Sequence, residues 1–256
     1  MRRLLLIGIG AGDPEYVTAQ AARALNEVDV FFVVDKGSDA EDLVALRKLV
    51  LERFVERPGY RIVELPDPPR DRDAAAYGAA VDDWRARRAD LWGAALRDEL
   101  DEDGVGAVLV WGDPSLYDST IDVVERIRDG GVVPFDYEVI PGVSSVHALA
   151  ARHRIAINRV GGAIQITTGR RLATLGWPEG VDDLVVMLDA VYAFESLHPD
   201  GVEIYWGAYL GTPDELLVAG SLWDVAGEIR RIRIEARERK GWIMDTYLLR
   251  RDPEAP

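Results

Sequence analysis

Cysteine is absent from the 256 residues, which excludes disulfides and thiolate metal sites. Histidine is scarce. His147, His153 and His198 are the full set, and no pair has a metal-binding spacing such as His-x-x-x-His, so no metal is expected. Lysine is confined to Lys36, Lys48 and Lys240, and arginine supplies the remaining basic charge. That charge is outweighed: 30 Lys and Arg face 45 Asp and Glu, for a formal net charge of −15. Non-specific nucleic-acid binding draws on cations at phosphates, so no nucleic-acid partner is expected. No apolar window approaches the roughly 18 residues of a membrane span. The opening Met1-Arg2-Arg3 leads into an apolar run too short for a signal-peptide core, without a small-residue cleavage site. The expectation is a soluble, cytoplasmic protein without a membrane partner.

What is present is an ordinary globular composition, 48% hydrophobic, at a length that suits one large domain or two small ones. "LLLIGIG" (Leu4 to Gly10), "VDVFFVVD" (Val28 to Asp35), "YRIVELP", "GAVLVWG" and "YEVIPG" read as buried strands. Helical spacing separates them: from Thr18, over Asp39 to Val55, over Ala74 to Leu100, and over Ile121 to Ile127. "SSVHALAARH" reads as a serine-capped helix. This alternation predicts a parallel α/β sheet. After His153 the texture becomes strand-rich ("GAIQITTG", "DDLVVMLDA", "GVEIYWGAYLG", "ELLVAGSL", "GWIMDTYLLR"). A division at residues 155/156 is expected, with a parallel-sheet domain over 1–155 and a mixed α/β domain over 156–256.

Two strands end in the same acidic turn. The first reads Gly8-Ile9-Gly10-Ala11-Gly12-Asp13-Pro14, the second Gly112-Asp113-Pro114-Ser115-Leu116-Tyr117. A dinucleotide fingerprint needs G-x-G-x-x-G, and here Asp13 stands where the third glycine belongs. Neither turn offers Lys or Arg to a phosphate. Ligands of open parallel sheets sit at the carboxyl ends of strands. A ligand held there by main chain and carboxylates would be uncharged or cationic, which suits S-adenosylmethionine. The plainer alternative is that Gly-Asp-Pro simply ends a strand and starts a turn.

With "GIGAGDPEYVT", "VWGDPSLYDST", "VIPGVSSVHALAA" and "YWGAYLGTPDELLVAG" in order along nearly the whole chain, the sequence resembles the tetrapyrrole methylases. "DKG", "ITTGRRLA", "VVMLDA", "IYWGAYLGT" and "GWIMDTYLLR" resemble the deacetylating precorrin-6A synthase branch of that family. The resemblance implies the two-domain tetrapyrrole methylase fold with the active site in the cleft, and a homodimer. It implies S-adenosylmethionine as cofactor, S-adenosylhomocysteine as product and the tetrapyrrole precorrin-5 as substrate. In that reaction carbon 1 of the macrocycle is methylated and the extruded acetyl group leaves as acetate. One position departs from the pattern: Ala11 stands where many members have proline.

Residue by residue, the resemblance carries cofactor binding onto Gly112, Asp113, Pro114, Ser115, Tyr117, Ser119 and Thr120. In the second half it carries it onto Met187, Leu188, Ala208, Tyr209 and Ala219. Met187 and Leu188 would give adenine an apolar floor, or be plain strand core. For the substrate's carboxylates, which arginine meets with two parallel bonds, the candidates are Arg70, Arg72, Arg170 and Arg171, ahead of Arg152 and Arg154. Deacetylation calls for a general base and an acid or oxyanion donor. Asp13 and Tyr16 are the expected catalytic residues, with His147 and Asp245 as further candidates by type; a packed or capping His147 and a strand-end Asp245 are the structural alternatives. Ser144 and Ser145 cap a helix rather than form a nucleophile elbow, which needs G-x-S-x-G. Two other readings compete: another methyltransferase, either a tetrapyrrole methylase acting at a different ring carbon or a diphthine synthase, and a non-catalytic S-adenosylmethionine-binding scaffold.

Overall fold

The computed structural model describes residues 1–35, 41–69 and 77–252. It falls into two compact units, Met1–Gly10 with Pro14–Val143, and Ala11–Asp13 with the chain from Ser144 onward.

The first unit runs β1 (Arg2–Gly8), α1 (Ala19–Leu25), β2 (Val30–Asp35), α2 (Glu41–Phe54), β3 (Arg61–Pro66), α3 (Tyr77–Glu99), β4 (Val105–Val110), α4 (Thr120–Gly130) and β5 (Phe135–Ile140). The five strands are all parallel, in the order β3-β2-β4-β1-β5. Strands in such a sheet are buried on both faces, which is why they read as unbroken apolar runs. Leu4, Leu6, Phe32, Val108 and Val110 pack against Trp92 and Leu96 of α3 and Val123 and Ile127 of α4. Leu5, Ile7, Phe31, Ala107 and Leu109 point the other way, against Ala21 and Leu25 of α1 and Leu46 and Val50 of α2. Each fully buried side chain of this size contributes roughly 1.5–3 kcal/mol. Thr18 starts α1 by accepting the Ala21 amide at 3.1 Å. Gly131, at φ 65, stops α4.

The second unit runs α5 (Ser145–His153), β6 (Ile164–Thr168), α6 (Gly169–Leu175), β7 (Asp183–Met187), β8 (Val202–Ala208), β9 (Leu216–Ser221), α7 (Leu222–Lys240) and β10 (Asp245–Arg251). Its sheet has the order β6-β7-β10-β8-β9; β6 and β7 are parallel and every other pair is antiparallel. The units divide between Val143 and Ser144 rather than after residue 155. The reason is α5, which is bound to the second sheet: Ser145 Oγ lies 3.4 Å from Thr246 Oγ1, and His153 Nε2 lies 3.0 Å from the Trp206 carbonyl. Helix α5 lies close on β8: a Cβ at Gly207 would come within 2.8 Å of the Leu149 side chain.

The 19-residue α7 departs from the strand-rich expectation for this half. Only Leu222, Ile229, Arg233 and Ala236 of it are buried, in a run crowded with Arg and Glu that masks the apolar stripe. Among the described residues, no helix is long and apolar enough to cross a membrane.

Candidate cofactor and substrate site

In the first unit the strand order reverses around β4, and the turns after β1, β4 and β5 are joined by main chain. Gly112 donates to the Gly10 carbonyl at 2.8 Å and accepts from the Gly10 amide at 3.3 Å. The two Gly-Asp-Pro loops of the sequence are therefore bonded to each other. Gly8, Gly112 and Gly142 stack so closely that a Cβ on Gly8 would lie 2.5 Å from the Gly142 amide nitrogen. One on Gly142 would collide with the Gly112 carbonyl oxygen and lie 2.8 Å from the Gly8 carbonyl carbon. Gly112 is also at φ 70, a left-handed backbone that glycine adopts without strain.

The acidic residue of the second turn has a structural task. Asp113 Oδ1 accepts the Ser115 amide at 2.8 Å and the Ser115 hydroxyl, while Oδ2 accepts the Gly142 amide at 2.9 Å. One carboxylate thus shapes its own loop and ties it to the turn after β5. Beyond it, Tyr117 is exposed and held at φ 51. Ser119 Oγ accepts from Arg88 at 3.3 Å, and Thr120 is buried. Arg88 is itself buried, with its guanidinium 4.7 Å from the Trp84 ring and 4.4 Å from the Trp92 ring. Burial pulls its pKa down, against the opposing pull of Asp67 and Asp118. Tyr16 packs on Gly10, whose Cβ would fall 2.5 Å from that of Tyr16.

In the second unit, register decides which predicted residues meet. Thr168 pairs with Met187, Met187 with Thr246, and Thr246 with Gly207. The carboxyl ends of β6, β7 and β8 therefore share one edge of the sheet. That edge gathers Arg170 and Arg171 at the start of α6, Met187 and Leu188 after β7, and Ala208 and Tyr209 after β8. Ala219 pairs with Tyr205 in the middle of β8, three residues back from Ala208. Asp13 belongs to this unit through its neighbour: Gly12 packs on the Leu210 carbonyl, and a Cβ there would lie 2.8 Å from Thr212 Cγ2. Arg70 and Arg72 lie outside the described residues.

Leu188 and Tyr209 share the left-handed backbone of Tyr117, at φ 53 and φ 50. For bulky residues this costs roughly 1–2 kcal/mol each. Such strain clusters at ligand sites. Leu188 is 61% exposed. The Ala208 and Tyr209 side chains are buried, with the Tyr209 hydroxyl donating to the Trp242 carbonyl at 2.6 Å, so any contact they make with a ligand is by main chain.

Below this edge lies a polar cluster that sequence reasoning did not find. Arg233 Nε donates to Asp245 Oδ2 at 2.8 Å, and Trp206 Nε1 donates to the same oxygen at 2.9 Å. Burial pushes the Asp245 carboxyl up, with Arg233 and Trp206 pulling it back. Asp245 is thus a core ion-pair partner, as its strand-end position allowed. Tyr247 donates to Asp189 Oδ2 at 2.7 Å, and burial beside that carboxylate raises its hydroxyl well above the usual tyrosine value. For Asp189 the sequence signal was its place directly after the apolar run "LVVML". His147 is a capping residue: its Nδ1 lies 2.8 Å from Ser144 Oγ, and Ser144 caps α5.

The profile of the family described as Tetrapyrrole (Corrin/Porphyrin) Methylases matches residues 3–226. The chain is 49% identical over 251 residues to a Sinorhizobium sp. protein named Precorrin-6A synthase (deacetylating), covering 98% of this chain and 96% of that one. Among solved structures it is similar to a cobalamin synthesis related protein, CobF, from Corynebacterium diphtheriae, at 37% identity and a TM-score of 0.84, covering 98% and 99% of the two chains. A Thermus thermophilus uroporphyrin-III C-methyltransferase, solved in complex with S-adenosyl homocysteine, shares the fold at 21% identity and a TM-score of 0.57, covering 96% and 91%.

Proposed function

The chain belongs to the tetrapyrrole (corrin/porphyrin) methylase family, and on that premise we propose that it is an S-adenosylmethionine-dependent C-methyltransferase, a deacetylating precorrin-6A synthase of cobalamin biosynthesis. Precorrin-5, S-adenosylmethionine and water give precorrin-6A, S-adenosylhomocysteine and acetate. A methyl group goes to carbon 1, and the acetyl group leaves as acetate after water adds to its carbonyl. The observation that carries this reading is the 49% identity running the length of both proteins.

The residues present suit the cofactor. Stacked glycines leave bare main chain at the β4 turn, and Leu188 offers an exposed apolar surface. Neither turn brings a cation that would repel a sulfonium. When bound, S-adenosylmethionine supplies an electrophilic methyl group. In this reading Gly112 to Tyr117, Met187, Leu188, Ala208 and Tyr209 bind and orient it, while Arg170 and Arg171 take substrate carboxylates. Ser119, Thr120 and Ala219 contribute less, because Ser119 is engaged by Arg88, Thr120 is buried and Ala219 pairs with mid-strand Tyr205 rather than with the end of β8. Asp13 and Tyr16 remain the candidates for the proton transfers of deacetylation. A homodimer in the cytoplasm completes the reading, and the mass of the purified protein in solution tests the dimer.

Incubating the pure protein with S-adenosylmethionine and precorrin-5, with products followed by mass spectrometry, tests the function. A methylated macrocycle plus free acetate is expected. Methylation with the acetyl group retained would remove the deacetylase assignment, and no transfer would remove the methyltransferase. Asp113→Ala should raise the calorimetric Kd for S-adenosylmethionine roughly tenfold, because three donors lose one carboxylate and the loop loses its tie to Gly142. An unchanged Kd would take Asp113 out of the site.

A further inference from the structure

We propose that Asp189 is a positioning residue, whose carboxylate holds the turn after β7 in the shape that presents Leu188 to the cofactor. The inference rests on the preceding reading of Met187 and Leu188. Leu188 is both exposed and left-handed, so neither burial nor backbone preference accounts for its conformation. The next residue does. Asp189 is 3% exposed, and its carboxylate is filled by donors: Val191 N at 2.9 Å on Oδ1, Ala193 N at 2.8 Å and the Tyr247 hydroxyl at 2.7 Å on Oδ2. Arg233 Nη2 donates to the Asp189 carbonyl. The same guanidinium lies 4.6 Å from the ring of Tyr192, a second left-handed residue of this turn. Carboxylate, carbonyl and ring thus fix residues 188–193 from three directions.

The carboxylate also faces α6. Gly169, the residue before Arg170 and Arg171, packs on it so closely that a Cβ would lie 2.5 Å from Asp189 Cβ. One buried side chain therefore sets both the turn that carries Leu188 and the helix start that carries the candidate substrate arginines. An asparagine would keep the size but aim an NH₂ group at a place built from donors.

The test is calorimetric titration of S-adenosylmethionine into the full chain, wild type beside Asp189→Asn and Gly169→Ala, with Ile229→Val as control. Ile229 is buried in the core of the same unit and takes no part in the Asp189 hydrogen bonds, so its truncation lowers stability and leaves those bonds in place. The Kd should rise about tenfold or more in Asp189→Asn and about threefold in Gly169→Ala, while the control binds as wild type despite a lower melting temperature. In turnover, the KM for S-adenosylmethionine should rise with kcat nearly unchanged. If Asp189→Asn does not fold, Gly169→Ala carries the same reading. A wild-type Kd in the variants, or an equal loss in the control, overturns the inference alone. A wild-type chain that does not bind S-adenosylmethionine overturns the functional reading, and the inference with it.

Discussion

Gly142→Ala should abolish measurable S-adenosylmethionine binding and lower the melting temperature of the protein. The added methyl group would meet the Gly112 carbonyl oxygen and the Gly8 main chain, 2.8 Å from the Gly8 carbonyl carbon. These are backbone atoms at the ends of two central strands, so no side chain can swing aside. Overpacking of this kind costs roughly 1–3 kcal/mol. The binding loss exceeds the stability loss because the displaced atoms belong to the β4 turn, which Asp113 ties to the Gly142 amide. Gly130→Ala is the matched control: it lies in α4 with nothing within 4 Å of its Cβ position, and alanine there should be neutral or stabilising. Thermal denaturation and titration of both variants decide the point. A Gly142→Ala protein with wild-type melting and wild-type Kd would show that the stack has slack.

Arg233→Met should be the most destabilising single substitution in the second unit, at about 3–5 kcal/mol, because it strands a buried carboxylate. Both partners of the Arg233–Asp245 pair are 4% exposed at their side chains. The Trp206 indole would be the remaining donor to Asp245. The sign of the pH dependence follows. Without its cation the buried carboxyl has a folded-state pKa above its unfolded value. Stability is then retained at low pH and lost as the pH rises through the folded value. Urea midpoints of the variant should fall more steeply than those of wild type as the pH rises above about 4, the unfolded aspartate value. Arg233→Met combined with Asp245→Asn should recover much of the loss and flatten the dependence. Equal midpoints for Arg233→Met and wild type would show the pair to be dispensable.

Strand content was legible where burial is two-sided: Leu4 to Ile7 and Val108 to Val110 could be little else. The caps Thr18 and Ser144 were legible because their side chains bond amides three residues on. The place of the second Gly-Asp-Pro turn was visible, and its reason was not, since Asp113 reaches across to Gly142, a residue of another strand end. The same holds for Asp189, whose hydroxyl donor Tyr247 comes from β10. The helix α7 was hidden by its own charge. Arg233 is one cation among many in "IRRIRIEARERK" until a fold buries it. The place of Ala219 was not legible because register is a tertiary property: one strand pairing set it opposite Tyr205, in the middle of β8.

The placement of β10 sets a timetable for synthesis. The parallel sheet is complete once Ile140 has been made, since all its strands precede that residue. The other sheet has its latest strand in the middle, joining β7 to β8. Until Arg251 has emerged from the ribosome, those two strands have no partner on their facing edges, and such edges invite pairing with another nascent chain. The first unit can therefore fold during translation, while the second waits, its apolar strands uncovered, for one late segment to close it.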